Sequence, residues 1–229
     1  MRVPIVELTG PSGSGKSTVY RHLAAESDCQ LAPIVRFLPG MVLKSRIYWL
    51  LAPLVLVLFR RLFLAIWQDR KREALGPMAR ILGNLSWVLA RQSIAYGQAR
   101  LTGKTVMVDE GFLQAGLGFS YQLGDSFTGH WKTYANSIPR SIWYAVFQCR
   151  SEVAALRSMA RPSGPPHNMR NYLSSLDSDT EKALARTNQQ YQRLLQQALR
   201  SAELTWLPVD GELPVADCAD QLVHAVEPR

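Results

Sequence analysis

The chain has 229 residues, 26 basic and 18 acidic side chains, a net charge of +8 and an apolar share of 47%. With 13 prolines and 15 glycines spread along its length, this composition excludes a disordered, collagen-like or low-complexity protein and predicts one packed domain of enzyme size. Cys29, Cys149 and Cys218 are too far apart for a disulfide framework or a structural zinc site, so a reducing, cytoplasmic setting is expected, and Pro4 and Glu7 come too early for a secretory signal.

Arginine supplies 20 of the 26 basic residues, and its planar fork suits bidentate capture of phosphate or carboxylate. An anionic ligand is expected. The arginines are dispersed, with no zinc finger, basic zipper or aromatic ribonucleoprotein signature beside them, which argues against nucleic acid.

In chain order, Val3 to Leu8 form a short apolar run predicted to be a buried strand. Directly after it stand Gly10, Pro11, Ser12, Gly13, Ser14, Gly15, Lys16, Ser17 and Thr18, the spacing Gly, four residues, Gly-Lys-Ser, ahead of a helical pattern. Glycines at such a loop let several amide N–H groups turn inward as a nest for phosphate oxygens at a helix N-terminus. Lys16 is predicted to neutralise the β and γ phosphates of ATP and Ser17 to ligate Mg²⁺, with Thr18 a weaker contributor.

Gln30 to Phe37 is a candidate second strand, closed by Pro39-Gly40. Residues 44–101 read mainly as helices broken at Pro53 and near Gly76-Pro77. Within them Ile47 to Phe59 is an unbroken apolar run, followed by Arg60-Arg61 and a second run from Leu62 to Trp67. Neither run is long enough to span a bilayer, and the two arginines would fall inside any longer span. A buried helix of the acceptor domain is the leading expectation for residues 47–67. A peripheral membrane or protein contact is the alternative, and a homodimer is left open.

Thr105 to Asp109 reads as another strand, ending in a carboxylate placed to hold magnesium or accept a proton from an attacking oxygen. Ile142 to Cys149 is a further strand. Asp177 to Glu203 carries a long amphipathic pattern with Asp177 or Ser178 near its start, and Asp217 to Val226 is the last predicted helix. Arg157 and Arg161, four apart, are expected on one helical face, able to reach a transferring phosphoryl group. Pro162 to His167 then suits a lid. No Asn-Lys-x-Asp guanine-recognition sequence and no Leu-Ser-Gly-Gly-Gln transporter signature occurs, which favours small-molecule phosphoryl transfer.

On these motifs the chain resembles the nucleoside monophosphate kinases of the P-loop superfamily, and their order is most like thymidylate kinase. Arg36-Phe37-Leu38-Pro39-Gly40 is similar to that family's Arg-x-Pro-Gly segment with one extra residue. Arg91, ahead of Gly103 to Asp109, looks like its helical arginine and following strand. Ser151 to Arg161 resembles the helix leading into the lid, and Thr205 to Gly211 the last strand and the loop bordering adenine. The resemblance implies that Arg36 and Arg91 bind the acceptor and that Asp210 and Gly211 border the nucleotide. In the family an arginine follows the strand aspartate, whereas here Asp109 precedes Glu110, which would hydrogen-bond an acceptor hydroxyl or sit outside the site.

The expected fold is α/β, a parallel β-sheet flanked by helices on both faces, with a helical insertion over about residues 41–101 and a lid over about 157–172. The expected activity is that of an ATP- and Mg²⁺-dependent kinase acting on a nucleotide-like or other small acceptor, anionic or partly apolar. In it Lys16, Asp109, Arg157 and Arg161 would be catalytic. The alternatives are a P-loop ATPase or regulatory switch without a metabolite acceptor, and a polynucleotide-end kinase.

Overall fold

The computed structural model describes residues 5–26, 47–70, 75–102, 105–109, 111–123, 129–140, 142–162, 164–165 and 179–226. Four of the predicted strands form one sheet: β1 (Ile5–Thr9), β2 (Val106–Val108), β3 (Trp143–Gln148) and β4 (Trp206–Asp210), in the order β2-β1-β3-β4 and all parallel. Among the described strands, β2 follows β1 on one side and β4 follows β3 on the other, so the order reverses between β1 and β3, the place where open parallel sheets bind ligands beyond their strand C-termini. Pro208, which cannot donate to a ladder, falls in the edge strand β4. The candidate strand at Gln30 to Phe37 lies outside the described residues.

The helices are α1 (Lys16–Glu26), a 3₁₀ turn (Ile47–Leu51), α2 (Ala52–Leu58), α3 (Arg60–Arg70), α4 (Leu75–Thr102), α5 (Phe112–Leu123), α6 (Trp131–Ala135), α7 (Ser151–Met159), α8 (Thr180–Ser201) and α9 (Val215–Val226). Helices occupy the described part of the expected insertion, and a new helix begins at each expected break. Pro53 lies in the first turn of α2, where proline lacks only an N–H that is left unpaired anyway. Gly76-Pro77 likewise lies in the first turn of α4. A further bend, which the sequence reading did not expect, falls at Phe59, where the 3₁₀ turn and α2 diverge from α3 by 79°. The helices α5 and α6 have no counterpart in the sequence reading.

Alternation along the strands divides the core in two. Val6, Leu8, Met107, Ala145, Phe147 and Val209 pack against α1 and α9, while Ile5, Val106, Val108, Tyr144 and Val146 face the helices α4, α5, α6 and α8. α8 meets the second face through residues spaced three and four apart, among them Tyr191, Leu194, Leu195 and Ala198. Its N-cap is Asp179, whose carboxylate accepts from the Glu181 N–H at 3.1 Å, one or two residues later than the sequence suggests.

Candidate functional site

The glycine loop links β1 to α1 and is closed by short backbone bonds: Ser14 N to Pro11 O at 3.2 Å, and Thr18 N and Val19 N to Gly15 O at 3.0 Å. Lys16 folds back over it, its Nζ donating to the Gly10 and Pro11 carbonyls at 2.8 and 2.9 Å. Gly13 has φ of +87°, and a Cβ there would lie 1.9 Å from the Ala154 carbonyl oxygen of α7. Only glycine satisfies both the left-handed backbone and that close approach. α7 and α8 further grip the loop through a 2.8 Å hydrogen bond between the Ser12 and Ser158 hydroxyls and through Asn188 Nδ2 donating to Ser12 O at 3.4 Å.

Asp109 follows β2 and stands beside the loop. Burial pushes its carboxyl pKa up, while Lys16, a hydrogen bond from the Ser17 side chain, Arg91 and Arg161 draw it down. Four residues expected at the site, brought from three stretches of chain, thus act on one carboxylate. Arg91, on α4, lays its guanidinium over the Trp87 ring at 4.7 Å from the centroid. Tyr20, on α1, also belongs to this cluster: burial raises its hydroxyl pKa, Arg91 lowers it and Asp109 raises it.

A cleft of about 570 Å³ opens over the loop, with Gly15 and Ser17 on its floor and Arg157, Arg161 and Gly211 on its walls. Arg157 Nη1 donates to the Gly211 carbonyl at 2.5 Å, and Gly211 N donates to Gln148 O at 2.7 Å, so α7 and the loop after β4 share one wall. The Arg150 guanidinium, 2.8 Å from Glu212 Oε2, ties the same two segments from outside. One expectation needs correction. Arg157 and Arg161 do not share a helical face, because α7 ends at Met159; Arg161 reaches the cleft from the following bend. Asp210 precedes Gly211 of the cleft wall, and its carboxylate accepts from Glu212 N at 2.9 Å, shaping its own turn. Arg36, Glu110 and most of the expected lid lie outside the described residues.

The sequence reading missed a carboxylate. Glu7, in the middle of β1, is fully buried, and burial raises its pKa to about 8 against opposing hydrogen bonds from the backbone N–H groups of Gln114, Phe112 and Leu113 and the charge of Arg91. Gln114 N reaches Glu7 Oε1 at 3.2 Å. Glu7 therefore caps the N-terminus of α5 from another strand, satisfying N–H groups that a helix start leaves over. Gly111 permits this, because a Cβ there would sit 2.2 Å from Glu7 Oε2. Gln114 also joins Tyr191, whose hydroxyl donates to its Oε1 at 2.6 Å. Among the described residues, neither Glu7 Oε2 nor the side-chain amide of buried Gln92 has a hydrogen-bond partner. The available signal was an acidic residue inside an otherwise apolar strand just ahead of the glycine loop.

No protein-family model matches the sequence, and no curated protein matches it. Solved structures do. Deoxyadenosine kinase from M. mycoides, with the products dCMP and a flexible dCDP bound, is similar at 14% identity, over 97% of this chain and 98% of that one, with a TM-score of 0.51. The same kinase with bound dCTP gives 13% identity, the same coverage and a TM-score of 0.50. At such identity the likeness is one of fold. This chain has the α/β fold of the P-loop nucleoside kinases, with its parallel four-strand sheet flanked by helices.

Proposed function

We propose that the protein is an ATP- and Mg²⁺-dependent kinase that transfers the γ-phosphoryl group to a small acceptor of nucleoside or nucleotide type. The convergence of Lys16, Ser17, Arg91 and Arg161 on Asp109, beside a phosphate-binding loop, carries this reading. Phosphoryl transfer asks little covalent chemistry of a protein and much positioning and charge stabilisation, which a loop of inward amides and three cations supplies.

In the proposed reaction the nest and Lys16 bind the β and γ phosphates, Lys16 exchanging its contacts to the Gly10 and Pro11 carbonyls for phosphate oxygens. Arg157 and Arg161, on the cleft wall, stabilise charge on the moving phosphoryl group. Arg91 and Asp109 orient the acceptor. Its oxygen attacks the γ phosphorus, the bond to the β–γ bridging oxygen breaks to release ADP, and the acceptor proton passes to Asp109.

The Ser17 hydroxyl and Asp109 carboxylate are hydrogen-bonded hard oxygen donors, a set that fits Mg²⁺. Among the described residues no group of three or more His, Cys, Asp or Glu could hold a metal by itself, so the ion would share its coordination with phosphate oxygens. Held by the Ser17 hydroxyl and the Asp109 carboxylate, Mg²⁺ would supply positive charge that offsets the charge of the phosphates.

The acceptor class is supported by the fold, since the similar kinase structures hold deoxynucleotides. The motif order favours a thymidylate kinase-like enzyme, but Asp109 is followed by Glu110 where that family carries arginine, which turns the proposal away from thymidylate itself. The test is phosphoryl transfer from γ-labelled ATP with magnesium to a panel of nucleosides, nucleoside monophosphates, sugars and a lipid extract, beside Lys16→Ala. A labelled acceptor that disappears in the folded variant is expected. Label released only as inorganic phosphate would replace the kinase with an ATPase switch, and a variant as active as the parent would remove Lys16 from the chemistry.

A further inference from the structure

The 3₁₀ turn, α2 and α3 hold to the body of the protein by one side only. Val55, Phe59, Leu62, Phe63 and Ile66 are buried in the core beside α4. The other side also carries large apolar residues, yet it faces outward: Leu50 is 78% exposed, Val57 65% and Leu64 58%, and Trp49, Leu54 and Trp67 are exposed too. A contiguous apolar surface of this kind on a basic protein calls for an occupant.

Its charges name one. Arg60 and Arg61 are both exposed at the bend between α2 and α3. Arg80, also exposed, lies on α4 three residues before Gly83, at which the Trp49 ring packs. From Cys29 to Gln68 the sequence has no acidic residue and five basic ones. The next acid, Asp69, is engaged by His130 Nε2 at 2.9 Å.

We propose that this bent helical pair is a docking surface for an anionic phospholipid bilayer, lying in the interface rather than crossing it. Among the described residues no single helix is long and apolar enough to cross a membrane. A span built from both helices would also bury Arg60 and Arg61 near mid-depth, where charge is costly. Laid flat, the same residues fit: leucine, valine and tryptophan enter the acyl boundary and the guanidinium groups stay at headgroup level. A second copy of the chain fits worse, because a two-fold pairing through this face would bring two Arg60-Arg61 pairs into one interface.

The proposal is independent of the kinase reading. Its test is co-sedimentation of the whole chain at low salt with phosphatidylcholine vesicles, with and without phosphatidylglycerol. Binding that requires the anionic lipid is expected. Arg60→Gln with Arg61→Gln should weaken it about 30-fold, equivalent to roughly 2 kcal/mol for two surface charges. Val57→Asp with Leu64→Asp should abolish it. Circular dichroism and thermal melting check that these surface variants stay folded, and should the aspartate pair fail to fold, the arginine pair decides. Failure to sediment with anionic vesicles overturns the proposal, as does binding unchanged in the folded variants. A concentration-dependent dimer lost in Val57→Asp, without vesicle binding, would overturn it in favour of self-association.

Discussion

The two faces of the sheet are built from different materials. Toward α1 and α9 every strand residue is apolar: Val6, Leu8, Met107, Ala145, Phe147 and Val209. Toward α4, α5 and α8 the same strands also carry Glu7 and Thr9, and Glu7 is fully buried among Gln92, Gln114 and the N-terminus of α5. The dry face fixes the glycine loop and the first helix against the sheet through dispersion and burial alone. The polar face gives up some of that stability, since a buried carboxyl costs free energy unless neutral or hydrogen-bonded, and obtains in return a directional anchor. That anchor holds the start of α5.

The largest effect should come from the site that both faces support. Asp109→Asn keeps the shape but removes the charge facing Lys16, Arg91 and Arg161, and turnover should fall by about 10³-fold, roughly 4 kcal/mol of transition-state stabilisation. Steady-state kinetics on the phosphorylated acceptor would measure it, and retention of parent turnover would remove Asp109 from the mechanism.

On the dry face, Leu8→Ala should cost about 2–5 kcal/mol of stability at every pH, because Leu8 is fully buried and leaves a cavity. Denaturant titration reads this directly, and a loss under about 1 kcal/mol would mean that α1 and α9 close over the gap.

The polar face predicts a pH dependence that the dry face lacks. Glu7 has its folded pKa at about 8, above the ordinary value of 4.5. Between those values the unfolded chain releases a proton that the folded chain keeps, so this group lowers stability progressively as pH rises from about 4.5 to 8 and adds no further change above. Glu7→Gln cannot ionise, so the difference in stability between variant and parent should move in the variant's favour across that window. A difference constant with pH would mean that Glu7 titrates normally.

The smallest effect belongs to the contact between the loop and α7. Ser158→Ala removes the 2.8 Å bond to the Ser12 hydroxyl and should cost about 1 kcal/mol, read as a small drop in melting temperature. A drop as large as that of Leu8→Ala would mean that this hydrogen bond, rather than burial, seats α7 on the loop.

Much of the site was legible because its chemistry is local. The glycine spacing dictates a nest whatever surrounds it, and Lys16 and Ser17 follow from their positions in that motif. Asp109 was readable from the apolar run ahead of it, as was the amphipathic helix α8. Arg157 and Arg161 meet at one cleft, though not by the route that their spacing predicts, because the helix stops two residues short of Arg161. An aspartate beside a glycine, as at Asp210, serves turn chemistry as readily as ligand chemistry.

What the sequence determined by itself is therefore the set of short-range instructions: a parallel α/β sheet, a glycine loop between strand and helix, and a carboxylate at the end of β2. Each is written in residues a few positions apart. The role of Glu7 was not, because an acid in a strand acquires meaning only when α5, more than a hundred residues later, presents its N–H groups to it. Nor could the sequence say which side of residues 47–67 is buried. Apolar residues surround α2, so periodicity gives it no preferred face, and the bend at Phe59 together with packing on α4 decided which side meets the core and which meets solvent.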